Sequence, residues 1–209
     1  MTAILLILFL ISLLYIAITN RLNSFINILA FQGIILFGVA FIELIKLDFT
    51  NLLFILLETI IFKTIILPAF LTYVVKKNNI TRETEPFVPN FLSIVIVTVI
   101  ILISFTLSQA IHDDHINKLF FIVAVSALFT GLYIIITRKN IITHVMGYLV
   151  IENGVFILSL AVGSEMPMLL NTGILLDIFV SVVLLGVFAN KIGEILQGHD
   201  IDQLRKLKD

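Results

Sequence analysis

Four ionisable side chains lie inside stretches of the sequence that are otherwise apolar: Glu58, Lys63, Glu152 and Asp177. A charged side chain at the centre of a membrane helix costs at least ~2.5–3.5 kcal/mol, so chance placement is disfavoured. An ionisable group that leaves water without a full partner is driven toward its neutral form, and side chains that alternate between the two forms pass protons. The pattern therefore predicts proton handling; static buried pairs between helices are the alternative.

The composition indicates what kind of protein holds these residues. Hydrophobic residues make up 60% of the 209 residues and charged residues 13%, and the mean hydropathy is +1.16. These values predict an integral membrane protein in a lipid bilayer. The formal net charge of -1 offers no basic surface for nucleic acid. Because the chain has no Cys, it cannot hold an iron-sulfur cluster through its own thiolates, and any redox centre is expected in a partner.

Seven apolar stretches each approach the ~20 residues that cross a ~30 Å hydrocarbon layer. They cover residues 2-19, 24-45, 50-75, 90-109, 118-137, 143-163 and 169-193. The predicted fold is therefore all-α, a polytopic membrane protein with seven transmembrane helices. One linker-like segment, "KKNNITRETEPFVPN", separates the third span from the fourth.

The order of features repeats along the chain. Gln32 and Glu152 are separated by 120 positions, and Glu58 and Asp177 by 119. This spacing predicts two three-helix repeats, at 1-80 and 116-209, joined by a linker and a fourth helix within 81-115. Because one span separates the repeats, they are expected to be parallel, related by an axis along the membrane normal.

The distribution of lysine and arginine predicts the orientation. One side of a seven-span topology receives ten basic residues and the other receives two. The first set is Arg21, Lys76, Lys77, Arg82, Arg138, Lys139, Lys191, Arg205, Lys206 and Lys208; the second is Lys46 and Lys118. The positive-inside rule then places the C-terminus, with its short tail, in the cytoplasm and the N-terminus outside the inner or cytoplasmic membrane of a prokaryotic cell.

At ~1.5 Å per residue, Glu152 lies about 14 Å and Asp177 about 12 Å from the starts of their helices, near mid-membrane. Glu58 and Lys63 are five residues apart, which in a regular α-helix separates them by ~140° around the axis. A π-bulge or a neighbouring helix could bring them together, and Pro68 favours irregular geometry.

His144 is a candidate entry relay for protons, or an interfacial anchor. The amides of Asn153 and Asn171 are interpreted as helix-contact or capping groups.

The segments "GYLVIENGVFIL", "LLDIFVSVVLLGVFANKI" and "FKTIILPAFLTYVVKKN" closely resemble hydrogenase-4 component E, a membrane subunit of energy-converting hydrogenase and formate hydrogenlyase complexes. The C-terminal half is also similar to the K-type subunit of respiratory complex I and the C-type subunit of multisubunit cation/proton antiporters. In the complex I subunit, two membrane glutamates are implicated in proton transfer. By position they fall on Glu152 and Asp177, whereas Gln32, the first-repeat counterpart, cannot ionise.

The resemblance implies a non-catalytic membrane-arm subunit of an oxidoreductase complex. Its expected partners are antiporter-like membrane subunits and a hydrogenase-type soluble arm. The nickel-iron site and the iron-sulfur clusters are expected in those partners, with no metal or cofactor bound by this chain. Two other functions stay open from the sequence: a subunit of a cation/proton antiporter without a redox arm, and a passive membrane scaffold.

Overall fold

The computed structural model describes residues 1–44, 58–77, 87–111 and 116–162. Helices form throughout these ranges, which contain no strand. The elements are α1 (Thr2–Ile18), α2 (Leu22–Leu44), a π-helical segment (Glu58–Ile66) that continues into α3 (Leu67–Lys77), α4 (Asn90–Ala110), α5 (Lys118–Thr137) and α6 (Ile141–Val162). The predicted seventh span at 169-193, with Asp177 and Asn171, lies outside the described residues.

Five of these helices are long and apolar enough to cross a membrane. They cover Leu22–Glu43, Thr59–Lys76, Asn90–Ala110, Lys118–Thr137 and Ile141–Val162. Helix α1 is also apolar and has 17 residues, a length of about 25 Å. The described part of the chain is therefore an all-helical, polytopic membrane protein, and the total of seven spans stays a prediction.

Helix α4 illustrates the membrane character most directly. Its buried side chains are small or polar: Ser93, Val97, Ser104 and Ser108. Its exposed side chains are large and apolar, and Phe91, Leu102 and Phe105 are each more than half exposed. A water-soluble helix would bury its large apolar side chains, whereas a lipid-facing helix exposes them and packs through small residues.

Helices α1 and α2 each contact a helix of the second proposed repeat. Helix α1 contacts α2, α4 and α5, while α2 contacts α6, the π-helical segment and α3. Thus α1 lies against α5, and α2 lies against α6. In each pair, the two helices hold the same position, first or second, in the two proposed repeats. The third helix of the second repeat lies outside the described residues, so the duplication and its domain bounds remain predictions.

Helices α5 and α6 form the closest helix pair because glycines remove side chains between them. A Cβ at Gly131 would lie 2.6 Å from the Gly147 carbonyl oxygen and 2.9 Å from the Ile151 nitrogen. A Cβ at Gly154 would lie 3.0 Å from the carbonyl oxygen of Ala124 and 3.0 Å from the Cβ of Ala127, both in α5. Small residues let membrane helices approach backbone to backbone, where van der Waals contact drives association.

The π-helical segment has two causes in its sequence. Residues 58–66, "ETIIFKTII", are rich in β-branched side chains, which crowd the i+3 and i+4 neighbours of an α-helix. Pro68 follows immediately and has no N–H for the carbonyl four residues earlier. Regular α-helix resumes at Leu67, where α3 begins, and Pro68 is the second residue of α3.

Candidate functional site

Lys63 lies within the π-helical segment and is 5% exposed. Its Nζ donates a hydrogen bond to Asn153 Oδ1 on α6 at 3.2 Å. It also lies 5.2 Å from the centre of the Phe156 ring, one turn further along α6. Both are contacts that a cationic amine makes, because the amide oxygen and the face of the ring carry partial negative charge.

Gly33 on α2 allows the π-helical segment to come this close. A Cβ at Gly33 would lie 2.7 Å from Thr64 Oγ1 and 3.1 Å from the Lys63 carbonyl carbon. The Thr64 hydroxyl donates to the Thr59 carbonyl, five residues earlier, at 3.0 Å. The absence of a side chain at Gly33 therefore places the backbone of Lys63 against α2, within reach of α6.

Asn153 connects Lys63 to two further helices. Its Nδ2 donates to Gln32 Oε1 on α2 at 3.1 Å. Gln32 Nε2 donates to Ser12 Oγ on α1 at 2.8 Å, and the Ser12 hydroxyl donates to the Phe9 carbonyl at 2.6 Å. Four buried polar side chains from four helical segments are thereby joined, which confirms the helix-contact interpretation of Asn153.

Glu152, the residue before Asn153, is 6% exposed. It lines a small, partly open cleft together with Lys63. Asn153 completes the polar lining, and the remaining walls are the apolar side chains of Leu29, Leu67, Pro68, Leu71 and Leu149. The structure therefore brings two of the predicted proton-path residues, Lys63 and Glu152, to one cleft between α2, α3 and α6.

The other two predicted proton-path residues stay predictions. Glu58 begins the π-helical segment, and the structure does not describe its side chain. The i→i+5 bonding of a π-helix moves positions five apart toward one face, which is the spacing of Glu58 and Lys63. Irregular geometry was expected here, and the segment is π-helical, but the pairing of the two side chains is not tested. Asp177 lies outside the described residues.

His144 lies at the start of α6 and contacts the loop between α5 and α6. Its Nε2 is 2.7 Å from the Arg138 carbonyl oxygen, and because a carbonyl only accepts, Nε2 is the protonated, donating nitrogen. This bond anchors the loop. The role of His144 as a proton entry relay remains a hypothesis.

Arg138 lies in the loop between α5 and α6, as predicted, and it is only 5% exposed. Its guanidinium donates to Asn20 Oδ1 at 2.9 Å, to the Ala17 carbonyl at 3.1 Å and to the Thr19 carbonyl at 3.2 Å. These acceptors are at the C-terminal end of α1, where helix carbonyls lack partners within the helix. Arg138 therefore caps α1 from a distant part of the chain.

Sequence reasoning did not identify Ser12 as part of the site and used Gln32 only as a marker of the repeat. A signal for both existed, since each is a polar side chain within an apolar helix. Their partnership could not be read from the sequence because it depends on how α1, α2 and α6 pack.

Comparison with known proteins agrees with this membrane architecture. Residues 119–209 match the family model described as NADH-ubiquinone/plastoquinone oxidoreductase chain 4L. The chain is also 25% identical over 193 residues to an uncharacterised protein of Mycobacterium tuberculosis, covering 90% of this chain and 87% of that protein. No solved structure matches the chain. The family match supports a complex I-like membrane subunit, a class of protein with partners in a membrane-embedded oxidoreductase complex.

Proposed function

We propose that this protein is a membrane-arm subunit of an energy-converting hydrogenase-type complex. It contributes part of a proton or ion path that is coupled to redox chemistry in partner subunits. The observation that carries this proposal is the position of Lys63 and Glu152 on one cleft between apolar helices that are long enough to span a membrane. Two oppositely charged, ionisable groups at one opening into a low-dielectric region can hold a transferable proton.

The assignment to a complex rests on two similarities. The match to the chain 4L family supports a place in a complex I-like membrane arm. The hydrogenase type rests on the resemblance of the segments around Glu152 and Lys63 to hydrogenase-4 component E. In this proposal antiporter-like membrane subunits lie beside the chain, and a soluble arm holds the nickel-iron site and the iron-sulfur clusters.

A subunit of a cation/proton antiporter is the second candidate, because a cleft with a lysine and a glutamate needs no redox centre to move an ion. Purification of the assembled complex separates the two. A hydrogenase large subunit, nickel and iron-sulfur absorbance in the purified complex would support the first function. Antiporter-type chains without these centres would support the second.

Replacement of the carboxylates tests the ion path itself. Glu152→Gln and Asp177→Asn remove charge at nearly constant volume, and Glu43→Gln, at an exposed acid near the end of α2, is the matched control. Coupled ion transport by the complex in vesicles is expected to fall for the first two variants and not for the control. Redox activity with artificial acceptors is expected to persist in all three.

Two results would count against the ion path. Normal assembly and normal transport by both carboxylate variants would exclude a proton-transfer role for these acids. Failure of both variants to assemble, with normal assembly of Glu43→Gln, would instead favour static buried pairs and the scaffold function.

A further inference from the structure

The hydrogen bonds in the buried chain that ends on α1 share one direction, which is set at one end by the Phe9 carbonyl, an acceptor only, and at the other by Lys63. In its ammonium form Lys63 donates and cannot accept, so Asn153 then presents Oδ1 to Lys63 and its amide nitrogen to Gln32. Gln32 then accepts with Oε1 and donates with Nε2 to Ser12. The Ser12 hydroxyl, which has accepted one bond, donates its hydrogen to the Phe9 carbonyl.

Burial disfavours the opposite direction while Lys63 is an ammonium group. Gln32 is 0% exposed, and Ser12, Lys63 and Asn153 are each 5% exposed. Reversing the Asn153 amide would set its nitrogen against the Lys63 amine, donor against donor. A buried polar group without its partner loses the desolvation free energy that a hydrogen bond would offset, so the reversed chain is disfavoured.

The chain orients Lys63 and does not conduct protons away from it. Carboxamides do not titrate in the physiological range, and the two amides separate Lys63 from the Ser12 hydroxyl. Hydrogen-bonded groups in series polarise one another in a medium of low dielectric constant. Each amide therefore strengthens the next, and the resulting dipoles present oxygen toward Lys63.

We infer that Asn153, Gln32 and Ser12 are positioning residues that hold the Lys63 amine at the cleft beside Glu152. They act through a single-direction chain of hydrogen bonds that ends on the backbone of α1. The consequence for transport rests on the proposed function, because it requires Lys63 to belong to the ion path. The chain itself does not depend on that function.

The test uses the assembled complex and variants along the chain. Gln32→Met removes the acceptor for Asn153 and is expected to lower coupled transport about tenfold, the effect of losing roughly one buried hydrogen bond. Gln32→Glu keeps that acceptor but, when ionised, cannot donate to Ser12, so it is expected to restore only part of the transport. In a Lys63→Met background, Gln32→Met is expected to cause no further loss.

Ser12 and Ser108 provide a matched pair. Both hydroxyls are buried and donate to a carbonyl three residues earlier in their own helix, at 2.6 Å for Ser12 and 2.7 Å for Ser108. Only Ser12 also accepts from Gln32. Ser12→Ala is therefore expected to lower the thermal unfolding midpoint more than Ser108→Ala, with a smaller difference in Gln32→Met or Lys63→Met backgrounds.

Equal midpoints for Ser12→Ala and Ser108→Ala in the wild-type background would overturn the chain. A loss of transport for Gln32→Met that is undiminished in the Lys63→Met background would overturn the positioning role. If the wild-type complex shows no coupled transport, the proposed function fails, and the midpoints with and without Lys63→Met still decide whether Lys63 directs the chain.

Discussion

Asn153 Nδ2 on α6 donates to Gln32 Oε1 on α2 at 3.1 Å, and this bond joins the two proposed repeats at their buried centre. The two residues are 121 positions apart in the sequence. That separation is close to the predicted repeat period, so a pseudo-twofold axis between the repeats would bring these positions together. The contact is the arrangement expected of parallel repeats, whose existence remains a prediction.

Asn153→Leu tests how much this hydrogen bond contributes to the stability of the fold. The variant removes the acceptor for Lys63 and the donor to Gln32. Each buried polar group that loses its hydrogen-bond partner lowers the free energy of unfolding by about 1–3 kcal/mol. We expect a lower thermal unfolding midpoint for the assembled complex. Asn153→Asp is the control, since it keeps an acceptor toward Lys63 and should lose less. Equal midpoints for the wild type and Asn153→Leu would contradict the prediction.

Lys63 is the only basic residue predicted to lie inside a span and away from its ends. Separate substitutions test the charge of this side chain and its size. Lys63→Arg keeps a cationic donor for Asn153, whereas Lys63→Met keeps the length and removes the charge. Lys63→Met is therefore expected to disrupt coupling or assembly more than Lys63→Arg. The measurement is hydrogen-linked proton movement in vesicles, normalised to the amount of assembled complex. A Met variant as active as the wild type would remove Lys63 from the path.

The glycine contact between α5 and α6 gives a prediction about stability. Gly131→Ala places a Cβ 2.6 Å from the Gly147 carbonyl oxygen, and backbone atoms cannot move aside, so we expect a loss of about 1–3 kcal/mol. Gly38→Ala is the control, because its nearest atom is the flexible end of Leu5, Cδ1, at 3.1 Å. Thermal unfolding of both variants measures the difference, and equal stabilities would argue against the close helix approach.

Membrane orientation is tested with cysteines at positions that flank the predicted spans. The chain has no native Cys, so Asp114→Cys and Asp202→Cys each introduce one thiol. An impermeant reagent should label the first from outside the cell and the second from the cytoplasmic face. If both thiols react from one face, the seven-span topology is wrong, and with it the argument for parallel repeats.

The sequence predicts the helices well because the membrane imposes a simple rule. A span must be about 20 apolar residues long, and each of the first six predicted spans corresponds to a described helix. Small polar residues of a membrane helix face its neighbours, as Ser93, Ser104 and Ser108 do on the buried face of α4. The irregular helix at Lys63 was also foreseeable, since Pro68 and β-branched residues act locally.

Contacts between distant segments could not be predicted in this way. Arg138 was counted as a loop charge because sequence shows where an arginine falls along the chain but not what covers it. Its burial at the end of α1 results from tertiary packing. The link from Asn153 to Ser12 through Gln32 is equally non-local, and only the arrangement of α1, α2 and α6 reveals it.

The bond from Arg138 to the Ala17 carbonyl spans 121 positions, and this has a consequence for biosynthesis. At roughly 5–20 residues per second, the ribosome needs about 6–24 s to make the intervening chain. During that interval the last carbonyls of α1 cannot accept hydrogen bonds from the Arg138 guanidinium, so the first helix is inserted before its C-terminal end is capped. Fragments that end between positions 80 and 138 contain the whole of the proposed first repeat but lack this cap, and they are therefore expected to be targets of membrane proteases.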